Sequence, residues 1–198
     1  MSWLKFLIFS LSLLWNFNPR LERMQKNSVP TGASEYLYWS YEVKLTWDDF
    51  TAKPDPKNNK TALTTAGLSI KTEQVNAHTI EVIIESRFQP SLSWSKDKNN
   101  DYLLEHEQKH FDLVEVYART ARKTLQENNK QAKAKLLKYL EQVFADTQEK
   151  LFQRQALYDK ETDHSRDSLQ QVEWNRKINR ELRELKDFSE QKVSIEIL

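Results

Sequence analysis

Residues 103–123 read LLEHEQKHFDLVEVYARTARK and repeat apolar residues with a helical period. Each residue of a helix is rotated by about 100°, so His106 and His110 lie about 40° apart on one face and one turn apart along the axis. Leu103 and Leu113 lie on the same side of the helix. The stretch therefore predicts a helix that carries two imidazoles towards the core.

Two imidazoles that are one helical turn apart can bind the same metal ion. A catalytic zinc ion takes three protein ligands and leaves a fourth position for water. Glu107 lies beside the pair, where its carboxylate can accept a proton from that water without being a ligand. HEQKH thus predicts a zinc site with His106 and His110 as ligands and Glu107 as general base. A hydrogen-bonded core pair and a solvated helix with incidental histidines are the alternatives.

The third ligand must come from another part of the chain. Asp112 and Glu115 are close in sequence, but on a continuous helix they face away from His106. His164, in the polar stretch YDKETDH, is the leading candidate. Three glutamates are alternatives: Glu141, Glu149 and Glu173. His78, in the turn-like NAHT, is expected to be an exposed turn residue.

The residues before this helix predict strands. Residues 35–50 alternate aromatic and polar residues, which is typical of one or two strands. Residues 51–60 contain prolines and an Asn-Asn pair that favour a loop. Residues 62–75 and 80–88 alternate well enough to form paired antiparallel strands, with Ile80, Val82 and Ile84 on one face. The strand around Ile80 to Ser86 is also a candidate edge for backbone pairing with an extended substrate.

The residues from 102 onward predict three helices and a last strand. The helices are expected over about 102–126, 130–156 and 167–188, with YDKETDHS as a polar link before the third. The final VSIEIL is expected to be a strand. Strands followed by helices indicate an α+β domain, with a small antiparallel sheet followed by three long helices.

Composition excludes several classes of function. With 30 Lys+Arg against 29 Asp+Glu, the formal net charge of +1 gives no field that would attract nucleic acid. The absence of cysteine excludes thiolate metal sites and cysteine nucleophiles, and two glycines are too few for a Gly-rich phosphate loop. A chain of 198 residues is suited to one domain.

The amino terminus resembles an export signal. Residues 4–15 read LKFLIFSLSLLW, an apolar run of the length of a signal-peptide core and short of the ~20 residues of a spanning helix. Residues 1–25 are therefore predicted to be a signal peptide or an N-terminal anchor, and the protein to be secreted or periplasmic. No small-x-small cleavage pair follows, so an uncleaved anchor and a buried core helix remain alternatives. No other membrane embedding is expected.

Three stretches together resemble a known family. LTWDDF at 45–50, HEQKHFDLVEVYAR at 106–119 and YDKETDHSRDSLQQVEWNRKI at 158–178, in this order and spacing, resemble the bacterial secreted zinc-dependent protease family catalogued as domain of unknown function 922. The likeness runs from about Tyr41 to Ile178. It implies that residues 36–198 form a zincin-like HExxH metallopeptidase domain that acts on a peptide or protein substrate.

The resemblance also bears on the site. It implies His106 and His110 as ligands and Glu107 as base. Four residues fall on the family's second polar motif, which favours His164 as third ligand: Tyr158, Asp159, Thr162 and His164. In that family a glycine is common at the positions of Lys109 and Ser165. Lys109 is expected to face solvent, whereas Ser165 puts the turn after His164 in question.

The remaining roles concern catalysis and its alternatives. Tyr158 is a candidate donor to the tetrahedral oxyanion, with a packed aromatic at a helix end as the other interpretation. Asp159 or Asp112 is a candidate to orient an imidazole. Two other functions stay open: a non-catalytic envelope interaction module with a vestigial or structural metal site, and a metal hydrolase that acts on a cell-wall amide.

Overall fold

A computed structural model describes residues 35–198, and the predicted leader at residues 1–25 lies outside the described residues. Glu35–Leu198 form one compact unit. The elements are β1 (Leu37–Tyr38), β2 (Ala62–Leu63), β3 (Ala66–Asn76), β4 (Thr79–Phe88), β5 (Trp94–Ser95), α1 (Asp101–Glu127), β6 (Lys130–Gln131), α2 (Lys133–Glu161), α3 (Ser168–Glu184) and β7 (Lys192–Ile197). Strands followed by three helices confirm the predicted α+β class.

The predicted hairpin is the centre of the larger sheet. β3 and β4 pair antiparallel, with Ala66 opposite Phe88 and Gln74 opposite Ile80. Ile80, Val82 and Ile84 of β4 are buried as predicted, because alternate side chains of a strand share one face. β7 and β1 pair antiparallel with different parts of the other edge of β4, and β6 pairs parallel with β7. β2 and β5 form a separate two-stranded sheet.

β4 has no free edge for a substrate, so the prediction of backbone pairing at Ile80 to Ser86 is wrong. β3 occupies one edge, and β7 pairs with Ile80–Ile83 on the other. The backbone N–H groups of Ile84 and Trp39 extend that second edge, since they bond Gln191 and Ser86 carbonyls. Among the described strands, β3 is an outer strand of this sheet and β4 is an inner one.

α1 is the central helix of the fold and packs against β3, β4, β7, α2 and α3. Its first turn is capped by Asn100, whose side chain accepts a hydrogen bond from the Leu103 backbone at 2.9 Å. The first half of α1 contributes to an apolar cluster with the end of α2 and with α3, and the second half packs on the sheet. In residues 35–198 no helix combines the length and apolar composition that crossing a membrane requires.

Several segments differ from the predicted elements. Residues 130–131, predicted as the start of the second helix, form β6, and α3 ends at Glu184 rather than near 188. The only strand in residues 35–50 is the two-residue β1, and Trp47–Asp49 form a 3-10 helix. Trp39 and Leu45 instead bond to α1: the Trp39 indole donates to Asp112, and the Leu45 backbone donates to Gln108. α2 ends at Glu161 rather than near 156. Part of the predicted polar link is therefore helical, and Asp159 faces α1 from the last turn of α2.

Candidate metal centre

α1 and α2 bring three potential ligand atoms together. His106 and His110 come from neighbouring turns of α1, as predicted, and Asp159 comes from the last turn of α2. The two Nε2 atoms are 3.2 Å apart. Oδ1 of Asp159 lies 2.9 Å from Nε2 of His110 and 3.3 Å from Nε2 of His106. These three residues can hold a metal ion.

Two glutamine side chains fix which nitrogen of each imidazole carries the proton. Nδ1 of His106 lies 2.9 Å from Oε1 of Gln171, and Nδ1 of His110 bonds to Oε1 of Gln155. An amide oxygen can only accept, so each Nδ1 donates to its glutamine, and Nε2 is the nitrogen that faces Asp159, to which it donates when it is protonated. The Gln155 amide is held in this orientation because its nitrogen donates to the His110 carbonyl at 3.1 Å. Both Nε2 atoms thus face Asp159, with which they could bind a metal ion.

Tyr158 packs against the His106 ring and bonds to the His106 backbone. Its ring stacks on the His106 ring with centroids 4.5 Å apart, and its hydroxyl donates to the His106 carbonyl at 3.2 Å. The same hydroxyl accepts from Nε2 of Gln171 at 2.7 Å. Burial raises the pKa of this hydroxyl, so it stays protonated. Tyr158 is therefore a packed aromatic residue near the end of α2, and its role as an oxyanion donor stays a prediction.

Glu107 is buried beside the three ligands and has a carboxylate without a partner. The residue is 4% exposed, and no described residue donates a hydrogen bond to its carboxylate. Its own carbonyl accepts from the Thr64 hydroxyl at 3.3 Å, which fixes that turn of the helix. A largely buried carboxylate beside potential metal ligands is typical of a functional site.

The charges of Asp159, Glu107 and His110 act on one another at the centre. Burial alone would raise the pKa of the Asp159 carboxyl, but hydrogen bonds from His106 and His110 and the nearby charges hold that pKa well below its usual range. Burial lowers the pKa of His110, yet the hydrogen bond to Asp159 and the charges of Glu107 and Asp159 outweigh it and raise that pKa. Two carboxylates facing two imidazoles favour a positive charge between them.

The residue that the structure groups with the two imidazoles is Asp159, whereas the sequence favoured His164 as third ligand. His164 is not part of the three-residue group; its side chain is 53% exposed, and its Nδ1 lies 3.4 Å from Oδ2 of Asp159. His164 follows the end of α2 and has a left-handed backbone (φ 52°), which turns the chain away from the helix axis. The glutamates that were alternatives are all exposed and outside the group: Glu141, Glu149 and Glu173. His78 is exposed in its turn, as predicted.

Asp112 and Lys109 also differ from the prediction. Asp112 orients no imidazole, because its carboxylate accepts from the Trp39 indole, the Gln108 amide and the Lys109 ammonium. Lys109 is buried rather than solvent-facing, since its Nζ also donates to Asn179 of α3 at 2.9 Å. Both residues therefore hold neighbouring segments to α1.

Sequence reasoning missed Gln155, Gln171 and the position of Asp159 as a potential third ligand. For Gln155 and Asp159 a signal was present in α2. The helical period of this helix continues past residue 156, with the buried residues Phe144, Thr147, Leu151 and Tyr158. Gln155 and Asp159 are four residues apart, the same spacing as His106 and His110. No comparable signal marks Gln171, whose position depends on how α3 packs.

Comparison with known proteins identifies a family. No curated protein and no solved structure shows a detectable match to the chain. A family model described as "Bacterial protein of unknown function (DUF922)" matches residues 20–165, about three quarters of the 198-residue chain. The match includes all three ligand residues, Glu107 and Gln155, and it ends before Gln171. The chain therefore belongs to this family of bacterial proteins, DUF922.

Proposed function

We propose that this protein is a zinc-dependent hydrolase, specifically a secreted or envelope peptidase. The observation that supports the proposal best is the convergence of His106, His110 and Asp159 beside Glu107, a largely buried residue whose carboxylate accepts no hydrogen bond from residues 35–198. Metal-assisted hydrolysis requires a set of metal ligands and an adjacent base, and these groups have that arrangement.

The ligand atoms fit zinc in type and spacing. Zinc binds imidazole nitrogen and carboxylate oxygen at ~2.0–2.1 Å, so neighbouring ligand atoms of a tetrahedral site lie about 3.3 Å apart. The three distances here, 2.9, 3.2 and 3.3 Å, are close to that value. Three protein ligands would leave the fourth position open. When bound, zinc would lower the pKa of a water molecule towards ~7 and polarise a carbonyl group.

The protein residues would transfer the proton and orient the ligands. Glu107 accepts the proton of the attacking water and later delivers it to the leaving amine nitrogen. Gln155 and Gln171 hold the imidazoles in the required tautomer, which keeps both Nε2 atoms directed inward. Peptide as the substrate and the envelope as the location rest on the HEQKH pattern and on the apolar run at residues 4–15.

Zinc content tests the ligand set. We expect one tightly bound zinc ion per chain in the wild type, and loss of that ion in the His106→Ala/His110→Ala double variant and in Asp159→Ala. His164→Ala is the matched comparison, because His164 also contacts Asp159 but lies outside the group. Zinc binding that survives Asp159→Ala and fails in His164→Ala would reverse the assignment of the third ligand.

Hydrolysis tests the role of Glu107. With zinc-loaded protein and unfolded casein as substrate, Glu107→Gln should retain zinc and lose hydrolysis, because an amide cannot accept the proton. Glu105→Gln makes the same change at an exposed position of the same helix and should leave hydrolysis intact. Hydrolysis by Glu107→Gln at the wild-type rate would contradict the mechanism. A wild type that binds zinc but cleaves neither casein nor cell-wall amides would favour the non-catalytic interaction module.

A further inference from the structure

One cation reaches the candidate metal centre from outside the helices. Lys60, in the loop that leads to β2, places its Nζ 3.1 Å from Oδ2 of Asp159. Oδ1 of the same carboxylate is the atom that faces both imidazoles. Lys60 therefore lies on the side of Asp159 that carries no proposed ligand atom, immediately beside the centre.

The loop that carries Lys60 is attached to the site. The Lys60 backbone N–H donates to the Asn58 side chain at 2.9 Å. The next residue, Thr61, accepts from the Lys96 backbone at 2.8 Å and so extends the pairing of β2 with β5. Three residues further on, the Thr64 hydroxyl bonds to the Glu107 carbonyl. The backbone around Lys60 is thus held to the neighbouring segments, including the turn of α1 that carries Glu107.

Lys60 also lies on the accessible side of the centre. Its side chain is 40% exposed, whereas Tyr158 is fully buried and its hydroxyl donates a hydrogen bond to the His106 carbonyl. The ammonium side chain is therefore open to solvent, whereas the tyrosine hydroxyl is not. A lysine ammonium has three donor hydrogens, so it can keep one on Asp159 and offer another.

We propose that Lys60 is the group that binds the oxyanion during hydrolysis. This inference rests on the proposed function. As the water oxygen forms its bond to the carbonyl carbon, the π electrons move to the carbonyl oxygen, which accepts a hydrogen bond from Lys60, and the water proton goes to Glu107. When the carbon–nitrogen bond breaks, the oxygen regains its double bond and Glu107 protonates the leaving nitrogen.

A simpler role for Lys60 would be to neutralise Asp159. That role predicts that removal of the ammonium group changes zinc binding and leaves the affinity for anions unchanged. The oxyanion role predicts that removal of the ammonium group weakens the binding of anions and leaves zinc binding unchanged. In this role a tetrahedral anion would contact both the fourth position of the zinc ion and the ammonium group.

The binding of inorganic phosphate to the zinc-loaded full chain separates the two roles. We expect phosphate to bind the wild type, Lys60→Met to bind it at least about tenfold more weakly, and Lys60→Arg to retain most of the affinity. Lys57→Met is the matched control, since it removes the same charge from an exposed position of the same loop. Calorimetry measures the phosphate affinity, and metal analysis verifies one zinc ion per chain in each variant.

Each other outcome overturns a defined part of the argument. Phosphate affinity that is equal in Lys60→Met and Lys57→Met, or absent in the wild type, rejects the oxyanion role. Loss of zinc in Lys60→Met alone shows that Lys60 maintains the ligands instead. Failure of the wild type to bind zinc rejects the proposed function itself, and this inference with it. With casein, Lys60→Met should lower kcat by about 10²-fold and change KM little.

Discussion

At the scale of single residues, the site depends on two amide side chains as much as on the ligands. Each imidazole has two nitrogens, and only a partner for Nδ1 determines that Nε2 is free to bind a cation. Gln171 connects three groups, because its Oε1 accepts from His106 and its Nε2 donates to Tyr158 and Asn175. Gln171 therefore has a fixed orientation, and the orientation of the His106 ring depends on the position of α3.

Replacement of Gln171 by leucine should weaken zinc binding without unfolding the protein. The change removes the acceptor for Nδ1 of His106, and loss of such a partner typically costs 10- to 100-fold in metal affinity. Gln170→Leu changes the exposed neighbour on the same helix and should leave the affinity unchanged. Competition with a chromophoric chelator measures the zinc affinity, and circular dichroism monitors the fold. Equal zinc affinities in the two variants would show that Gln171 does not position His106.

At the scale of elements, strong periodicity was sufficient to predict α1, the β3–β4 hairpin and β7. The end of α2 was not predicted, because the polar residues that follow residue 156 are also typical of a loop. Their helical conformation depends on contacts with α1 that the local sequence does not contain, such as the hydrogen bond between Tyr158 and the His106 carbonyl. Asp159 was missed as a ligand for this reason: its position requires α2 to continue for one more turn.

The expectation for α1 failed in a different way. Lys109 was expected to face solvent, yet it is buried, and so are Asp112 and Glu115 of the same helix. α1 is covered by the sheet, by α2 and by α3, so its polar residues bond to other segments instead of water. Periodicity shows which residues of a helix are apolar, but it does not show how many neighbours the helix has.

The turn after α2 has a backbone that glycine favours. Asp163, His164 and Ser165 have positive φ angles of 48°, 52° and 73°. Residues with a Cβ atom adopt this left-handed region at a cost of about 1 kcal/mol or more each. The glycine that the family resemblance implies at position 165 therefore has a physical reason. This strained turn directly follows the helical turn that carries Asp159.

Substitution of Ser165 by glycine should increase the free energy of unfolding by up to about 1 kcal/mol. The gain from the relaxed backbone is partly offset, because glycine has more conformational freedom in the unfolded chain. Ser189→Gly is the control, since Ser189 has φ −74° and gains nothing from glycine. Urea unfolding of the metal-free proteins measures both changes. A Ser165→Gly variant that is no more stable than Ser189→Gly would show that the turn is not strained.

At the scale of the whole molecule, a buried cluster of charges connects the helices to the sheet. Glu115 accepts hydrogen bonds from Ser86 of β4 and from Arg119 and Arg122 of its own helix. Arg119 also donates to the Leu182 carbonyl of α3, and Arg122 donates to the Ile84 carbonyl of β4. Both guanidinium groups are almost fully buried, so their charge requires the Glu115 carboxylate.

Replacement of Glu115 by alanine should destabilise the protein by about 3–5 kcal/mol, because it leaves two buried guanidinium groups without a counter-charge. Glu173→Ala is the comparison: Glu173 also pairs with an arginine, Arg176, but both side chains are exposed. An exposed pair contributes about 0–1 kcal/mol. Chemical denaturation followed by circular dichroism measures both. A cost below about 1 kcal/mol for Glu115→Ala would mean that the arginines reach solvent when the carboxylate is removed.

The position of β7 in the sheet has a consequence for the order of folding. Ile80 of β4 pairs with Ile195 of β7, and all three helices lie between them in sequence. The β3–β4 hairpin requires only local contacts, whereas docking of β7 must close a very long loop. During synthesis, the edge of β4 that faces β7 therefore stays unpaired until the helices have emerged. Over that interval the chain presents an apolar strand edge to which another nascent chain can add, which is the step at which aggregation would compete with folding.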